Sequence, residues 1–365
     1  MQESSEKLVR LTAGKWIGAI GVLLILLVGS IGTAIIFGSE RLHFRDMAVA
    51  LDDSIDAVGF RETCRLLSEN RFADPHVTIL FGLRLPRALL AVIVGATLAT
   101  AGVAFQGLLR NPLADPFILG ISGGAALGAV CSILTGFDVH IGGFATTPIF
   151  AFLGALASMF LVYFAAGGPG GRVSAVTLLL TGVILNFLFS AIIMLLTSLA
   201  ASHRKLDITN WLMGTIMPGM NYWQILGIGL LGMVGLFSFT AIAANLNLLS
   251  LGEGVATGLG VNVGRTKTLI FIFASLMTGV AVSVSGPVGF VGLIIPHIMR
   301  FALGPDHRLL LPASFLLGGA FLALADTAAR TAFAPEEIPV GVMTALCGSP
   351  FFLWLLRSRY GRAYF

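Results

Sequence analysis

Long apolar runs alternate along this chain with brief interruptions of charge, glycine or proline. The runs place helical spans near 16–38, 88–109, 116–137, 146–166 and 174–198, then 222–244, 267–285, 288–303, 309–329 and 338–356. A helix rises about 1.5 Å per residue, so roughly 20 apolar residues cross a hydrocarbon core of about 30 Å. The eighth run is short and reads Gly286-Pro-Val-Gly-Phe-Val-Gly-Leu-Ile-Ile-Pro296. Its prolines and glycines predict a broken helix, which a membrane tolerates only where neighbouring protein satisfies the freed backbone groups. The expected fold class is an all-α polytopic membrane protein with ten transmembrane helices.

Composition agrees with that pattern. Hydrophobic residues make up 56% of the chain and charged residues 11%, with a mean hydropathy of +0.94; soluble domains carry roughly 25% charged residues. The spans leave no room for a separate soluble domain, so residues 1–365 read as one transmembrane domain. The uncharged stretch from Trp16 to Ser39 is longer than a signal-peptide core and ends without a small-residue cleavage site, which predicts a retained first span. Ten spans bring both termini to one side. Lys7, Arg10 and Lys15, with Arg357, Arg359 and Arg362, place that side in the cytoplasm. Residues 39–83 then form an external loop of mixed charge, with short interfacial helices between Arg41 and Pro75, and 245–266 form the longest cytoplasmic loop. Cys64, Cys131 and Cys347 show no metal-binding or disulfide spacing, and free cysteines in apolar spans are expected to be small buried hydrophobes.

A weak internal repeat is present. Phe105-Gln-Gly-Leu108 recurs as Phe290-Val-Gly-Leu293, each followed closely by proline. With one odd span between the halves, spans 2–5 and 7–10 would form an inverted repeat, a common device in transporters.

Candidate chemistry is sparse. No Gly-x-x-x-x-Gly-Lys-[Ser/Thr] loop occurs, so the chain cradles no nucleotide of its own, and any ATP and Mg would be bound by a partner. No paired carboxylates, metal motif or nucleophile constellation falls in the spans, which leaves catalytic and metal residues at none, and nothing calls for nucleic acid. Asp326 is the one deep carboxylate, and Arg330 lies one turn away, where an ion pair is available. His297, beside Pro296 and near Arg300, reads as a helix-end hydrogen-bonding residue. On the fifth span Ser174, Thr177 and Thr181 share one face while Asn186, Ser190 and Thr197 lie nearly opposite, so no continuous polar stripe forms.

Four ordered segments carry more. Arg84-Leu-Pro-Arg87 opens an uncharged stretch that ends at Arg110-Asn-Pro-Leu-Ala-Asp-Pro116. Leu251-Gly-Glu-Gly-Val-Ala-Thr-Gly-Leu-Gly260 presents Leu251, Val255 and Leu259 at helical spacing, with Gly252 and Gly260 at its ends. The Gly286–Arg300 segment and the stretch from Ala325 to Phe352 follow. Together these resemble the permease subunits of ABC importers for cobalamin, haem and ferric siderophores, the FecCD type of type II importer. The resemblance implies a homodimer in the cell inner membrane that works by alternating access with two ATPase subunits and an extracytoplasmic substrate-binding protein. The cargo would be an iron chelate (siderophore or haem) or cobalamin. It implies ATPase coupling through Gly252, Glu253, Ala256, Leu259 and Gly260, and a cytoplasmic gate at Asn111 and Leu113. It also implies docking of the binding protein on Arg84, Arg87 and Arg330, whose guanidiniums are expected on the outer surface, where their planar forks suit carboxylates. The alternative is a gradient-driven secondary transporter, which would need ionisable residues deep in several spans.

Overall fold

A computed structural model describes residues 13–38, 78–137, 140, 143–168, 174–217 and 219–357. The two charged tails, residues 39–77 with the expected interfacial helices between Arg41 and Pro75, Cys64 and Arg172 lie outside the described residues. The helices are α1 (Ala13–Ile36), α2 (Leu85–Leu109), α3 (Ile121–Thr135), α4 (Thr146–Ala165), α5 (Ala175–Leu199), α6 (Ser202–Leu212) and α7 (Tyr222–Ala241). They continue with α8 (Ala243–Ser250), α9 (Glu253–Gly258), α10 (Val263–Ser285), α11 (Val291–Leu303), α12 (His307–Thr331) and α13 (Val340–Arg357). No β-strand element occurs among the described residues. Seven helical segments are long and apolar enough to cross a membrane, and α3, α11 and α13 are shorter apolar helices.

The second span departs most from expectation. A π-helical turn, Thr78–Arg84, runs directly into α2, so the helical segment Thr78–Leu109 has 32 residues and begins inside the expected external loop. Arg84 reads as a boundary in the sequence, yet here its charge is turned inward and no longer ends the helix. At the other end Arg110 takes a left-handed conformation (φ 49°) and Pro112 cannot continue the helix. The third span is not a single helix. A 3-10 turn, Pro116–Leu119, is capped by Asp115 and followed by Gly120 at φ 83°, and only then does α3 begin. Similarly, the eighth span is reduced to α11, because Gly286 (φ 62°) and Phe290 (φ 68°) break the chain before it. The polar helix α6, between the fifth and sixth spans, has no counterpart among the expected elements. Cys347 is exposed on α13 rather than buried, and Cys131 is only half-buried.

The helix α2 lies at the centre, packed on α12, α10, α11 and α7. Small residues set these contacts, as is usual where helices associate without a hydrophobic driving force. A Cβ on Gly95 would lie 2.2 Å from the Gly318 carbonyl oxygen of α12, and one on Gly102 would lie 1.9 Å from that of Gly292 on α11. The same device joins α3 to α4 at Gly124 and Gly154. The two Phe-x-Gly-Leu segments meet at this centre. Gln106 Nε2 donates to the Gly292 carbonyl at 3.2 Å, and Arg300 Nη2 donates to Gln106 Oε1 at 2.8 Å. His297 packs edge-on to Phe352 at 6.0 Å between ring centres.

Candidate functional site

The sequence-marked residues collect at the two ends of the bundle. At one end, the start of α2, the end of α12 and the last turn of α1 converge. Arg84 Nη1 donates to the carbonyls of Ile35 at 2.9 Å and Ile36 at 3.2 Å, and Arg330 Nη2 donates to that of Ala34 at 3.3 Å. The last turn of α1 holds no basic residue of its own, so these two guanidiniums meet its orphan carbonyls and the negative end of its dipole. Asp326 is 1% exposed and bridges two arginines: Arg330 Nε at 3.1 Å on Oδ2 and Arg87 Nη2 at 3.0 Å on Oδ1. Arg87 also reaches Glu337 Oε2 at 2.9 Å.

This geometry corrects the expected exposure of the arginines. Arg84 and Arg330 are each 5% exposed; helix-end carbonyls and a buried carboxylate take the place of water around their guanidiniums. Of the three, Arg87 keeps the most contact with solvent, with its side chain 17% exposed and its outer nitrogen occupied by Glu337. The i, i+4 pair of Asp326 and Arg330 is present as expected. The third partner, Arg87, was hidden from sequence by its separation of more than 200 residues.

At the opposite end, Glu253 opens α9 and links three elements. Its Oε1 accepts from Lys267 Nζ of α10 at 2.6 Å and lies 3.5 Å from Arg110 Nη2 at the end of α2. Gly252 (φ 116°, ψ 150°) occupies a region essentially restricted to glycine, and Gly260 (φ 86°) is also left-handed, so both ends of α9 need the residue found there. Ala256 is fully buried, whereas Leu251, Val255 and Leu259 are 67%, 49% and 62% exposed. A short helix held by its carboxylate thus presents an apolar ridge outward. Nearby, Asn247 of α8 fixes the start of α12. It donates to Asp306 Oδ1 at 2.7 Å and accepts from the His307 backbone N–H at 2.9 Å.

The Asn111 turn lies at this same end. Asn111 Oδ1 accepts from the Leu113 N–H at 2.9 Å, so its side chain closes the turn. Leu113 packs against the buried cluster of Ile294, Phe352 and Leu355. Between the two ends, an open hollow of about 420 Å³ is lined by Phe117, Ser122, Asn186, Ser190, Met194 and Pro287, among others. Asn186 Nδ2 donates to the Phe117 carbonyl at 2.9 Å. Asn186 and Ser190, which formed no stripe with the other polar residues of α5, share this one hollow.

One residue of the turn escaped the sequence reading. Asp115 is 8% exposed, and its carboxylate accepts the Phe117 N–H at 2.9 Å. Burial pushes its carboxyl from 3.8 up to about 6, opposed by the backbone N–H groups near it, chiefly that of Phe117. A folded-state value raised this way binds the proton more tightly than the unfolded chain does. The contribution of Asp115 to stability should therefore fall as pH rises from about 4 to about 6, by about 3 kcal/mol, and stay level above. The difference in thermal unfolding between the natural protein and Asp115→Asn should show this slope across that range, because the other titrating groups cancel in it.

Several known proteins are similar to this chain. The cobalamin import system permease protein BtuC of Halobacterium salinarum is 46% identical over 282 residues, covering 77% of this chain and 74% of its own. The hemin transport system permease protein HmuU of Yersinia pestis is 40% identical over 295 residues, covering 78% of this chain and 85% of its own. A solved structure of a transporter described as of the metal-chelate ABC type, in an inward-facing conformation, superposes with a TM-score of 0.75. It is 30% identical and covers 93% of this chain and 99% of its own. The profile of the FecCD transport family matches residues 23–358. The chain is a multi-pass membrane protein and belongs to the FecCD transport family of ABC permeases.

Proposed function

We propose that this chain is the membrane-spanning subunit of an ATP-driven importer that moves an iron chelate, haem or cobalamin across the inner membrane by alternating access. The observation that carries the reading is α9. An apolar ridge of Leu251, Val255 and Leu259 faces outward while Glu253 anchors the helix to α2 and α10. A chain without a nucleotide loop needs a surface of this kind to receive work from an ATPase. In this reading the three shorter apolar helices complete ten spans, both termini are cytoplasmic, and spans 2–5 and 7–10 are inverted repeats. The meeting of Gln106 with Gly292 supports that relation. Two copies would enclose the path, with Asn111 and Leu113 as its cytoplasmic gate, two ATPase subunits below and a substrate-binding protein above. The names of the relatives support the cargo only as a range, from cobalamin to hemin. Arg87 would offer the docking contact, with Arg84 and Arg330 holding the surface behind it. A gradient-driven mechanism draws no support from Asp326, whose carboxylate is fixed between two guanidiniums.

The test is uptake by proteoliposomes containing the permease and its ATPase. Val255→Asp with Leu259→Asp alters exposed positions only, so the permease should fold while substrate-stimulated ATP hydrolysis falls at least tenfold. Uptake that needs no internal ATP and collapses with an ionophore would overturn the proposal, as would full coupling in the double variant.

A further inference from the structure

The chain leaves α2 through Arg110, whose side chain reaches the first residue of α9. Arg110 is left-handed (φ 49°, ψ 37°), and its backbone N–H donates to the Gln106 carbonyl, as does that of Asn111 at 3.2 Å. The turn beyond is closed on itself. The Leu113 N–H donates to Asn111 Oδ1 at 2.9 Å, and the Ala114 N–H to the Asn111 carbonyl at 3.0 Å. A compact turn thus hangs from the end of α2 by one residue, and the guanidinium of that residue lies against α9. Its Nη2 is 3.5 Å from Glu253 Oε1, and its Nη1 would be 3.9 Å from a Cβ on Gly252, the glycine that opens α9. The same Oε1 accepts from Lys267 Nζ at 2.6 Å. Lys267 is buried, whereas Arg110 and Glu253 are each nearly half-exposed. Glu253 is therefore gripped on its α10 side by a short, charge-assisted bond and on its α2 side by a longer, hydrated one. The backbone joins α9 to α10 as well: the Val261 N–H donates to the Ala256 carbonyl at 3.0 Å, and Asn262 caps α10 through the Arg265 N–H at 3.0 Å.

We propose that Arg110 is a positioning residue that carries movement of α9 to the Asn111–Leu113 turn through Glu253. The Lys267 bond persists, and the Arg110 bond is the one that changes between states. The route is short. The ridge of Leu251, Val255 and Leu259 faces outward from α9, Glu253 is the first residue of that helix, Arg110 is its partner, and Asn111 follows in the chain. A half-exposed pair suits a contact that forms and breaks, because water replaces a lost partner at little cost. A buried pair would hold α9 and α2 in one arrangement, since breaking it leaves an uncompensated charge. This route rests on the reading of α9 as the surface that receives the ATPase and of Asn111 and Leu113 as the gate, and it names the residue that joins them.

The test is a double-mutant cycle on the full permease with its ATPase, its native cysteines replaced and spin labels on the two copies of Leu113→Cys. The variants are Arg110→Gln, Glu253→Gln and the two together. Each removes one charge from a half-exposed position, and glutamine keeps an unbranched stem, so the fold should survive. With Leu113→Cys alone, the ratio of the two gate distances should shift between nucleotide-free and vanadate-trapped complexes. Arg110→Gln should shrink that shift by about three- to fivefold, the worth of one exposed ion pair. Added salt should shrink the shift in the same direction while Arg110 is present and leave Arg110→Gln unmoved. On the Glu253→Gln background, Arg110→Gln should cause no further loss. An equal loss on both backgrounds, or none on either, would overturn the proposal and leave the gate and coupling readings standing. A single distance in both states with Leu113→Cys alone overturns the gate reading and the proposal with it. Full coupling in Val255→Asp with Leu259→Asp removes α9 as the source of movement, and the proposal again falls with that reading.

Discussion

Asp326→Ala is expected to lower stability by about 3–5 kcal/mol, because it strips the shared counter-charge from two guanidiniums that remain buried. Arg330 loses the carboxylate of Asp326, and Arg87 is left with the half-exposed Glu337. The loss should appear as a large fall in the thermal midpoint of the detergent-solubilised permease. Removing the charges together should be far milder, since an apolar replacement of a buried ion pair is often neutral. Asp326→Leu combined with Arg330→Met should recover a large part of the loss. If Asp326→Ala unfolds at the natural midpoint, the cluster does not hold α1, α2 and α12 together. The same geometry bears on any test of docking. Arg84→Glu would set a carboxylate against the carbonyls of Ile35 and Ile36, so charge reversal there disturbs folding as well as association. Arg87 is the position at which the two effects are best separated.

Gly102→Val is expected to be at least as damaging in its effect on packing. A Cβ at Gly102 meets the Gly292 carbonyl oxygen at 1.9 Å, and the contact is backbone, which has no rotamer in which to escape. The helices α2 and α11 must part, and the Gln106 bonds to Gly292 and Arg300 go with them. Overpacking costs about 1–3 kcal/mol where a core yields, and more where it cannot; three buried hydrogen bonds or close contacts at one crossing place this site in the second class. The control is Gly227→Ala on α7, where an added Cβ meets nothing within 4 Å. There the helix should gain about 0.5–1 kcal/mol from the loss of glycine's freedom in the unfolded chain. Equal midpoints for the two variants would show that close approach at Gly102 does not set the position of α2.

The apolar runs located the seven long apolar helices and the three shorter ones, because burial in lipid or protein leaves the same mark on a sequence. They did not show how each run is divided. The stretch 116–137 is uniformly apolar, yet Asp115, Pro116 and Gly120 turn its first residues into a 3-10 element. Nor could periodicity find the beginning of α2, since Arg84 resembles any arginine at a membrane surface until its partners on α1 are known. The ridge on α9 was legible, because Leu251, Val255 and Leu259 repeat at four-residue spacing within a polar loop. The hold of Arg87 on Asp326 was not, because the two residues lie far apart along the chain. Long-range pairing of this kind leaves no local pattern to read.

The last carbonyls of α1 are met by Arg330 as well as Arg84, and α1 packs more heavily on α12 than on α2. The chain is made from its N-terminus at about 5–20 residues per second, so α1 enters the bilayer on the order of tens of seconds before its main partner exists. Until α12 emerges, α1 is held through α2 and Arg84 alone, and its final turn is only half provided for. Biogenesis of this permease therefore secures α1 only when α12 arrives, and a chain interrupted before Arg330 would leave α1 held by α2 alone and more open to membrane proteases.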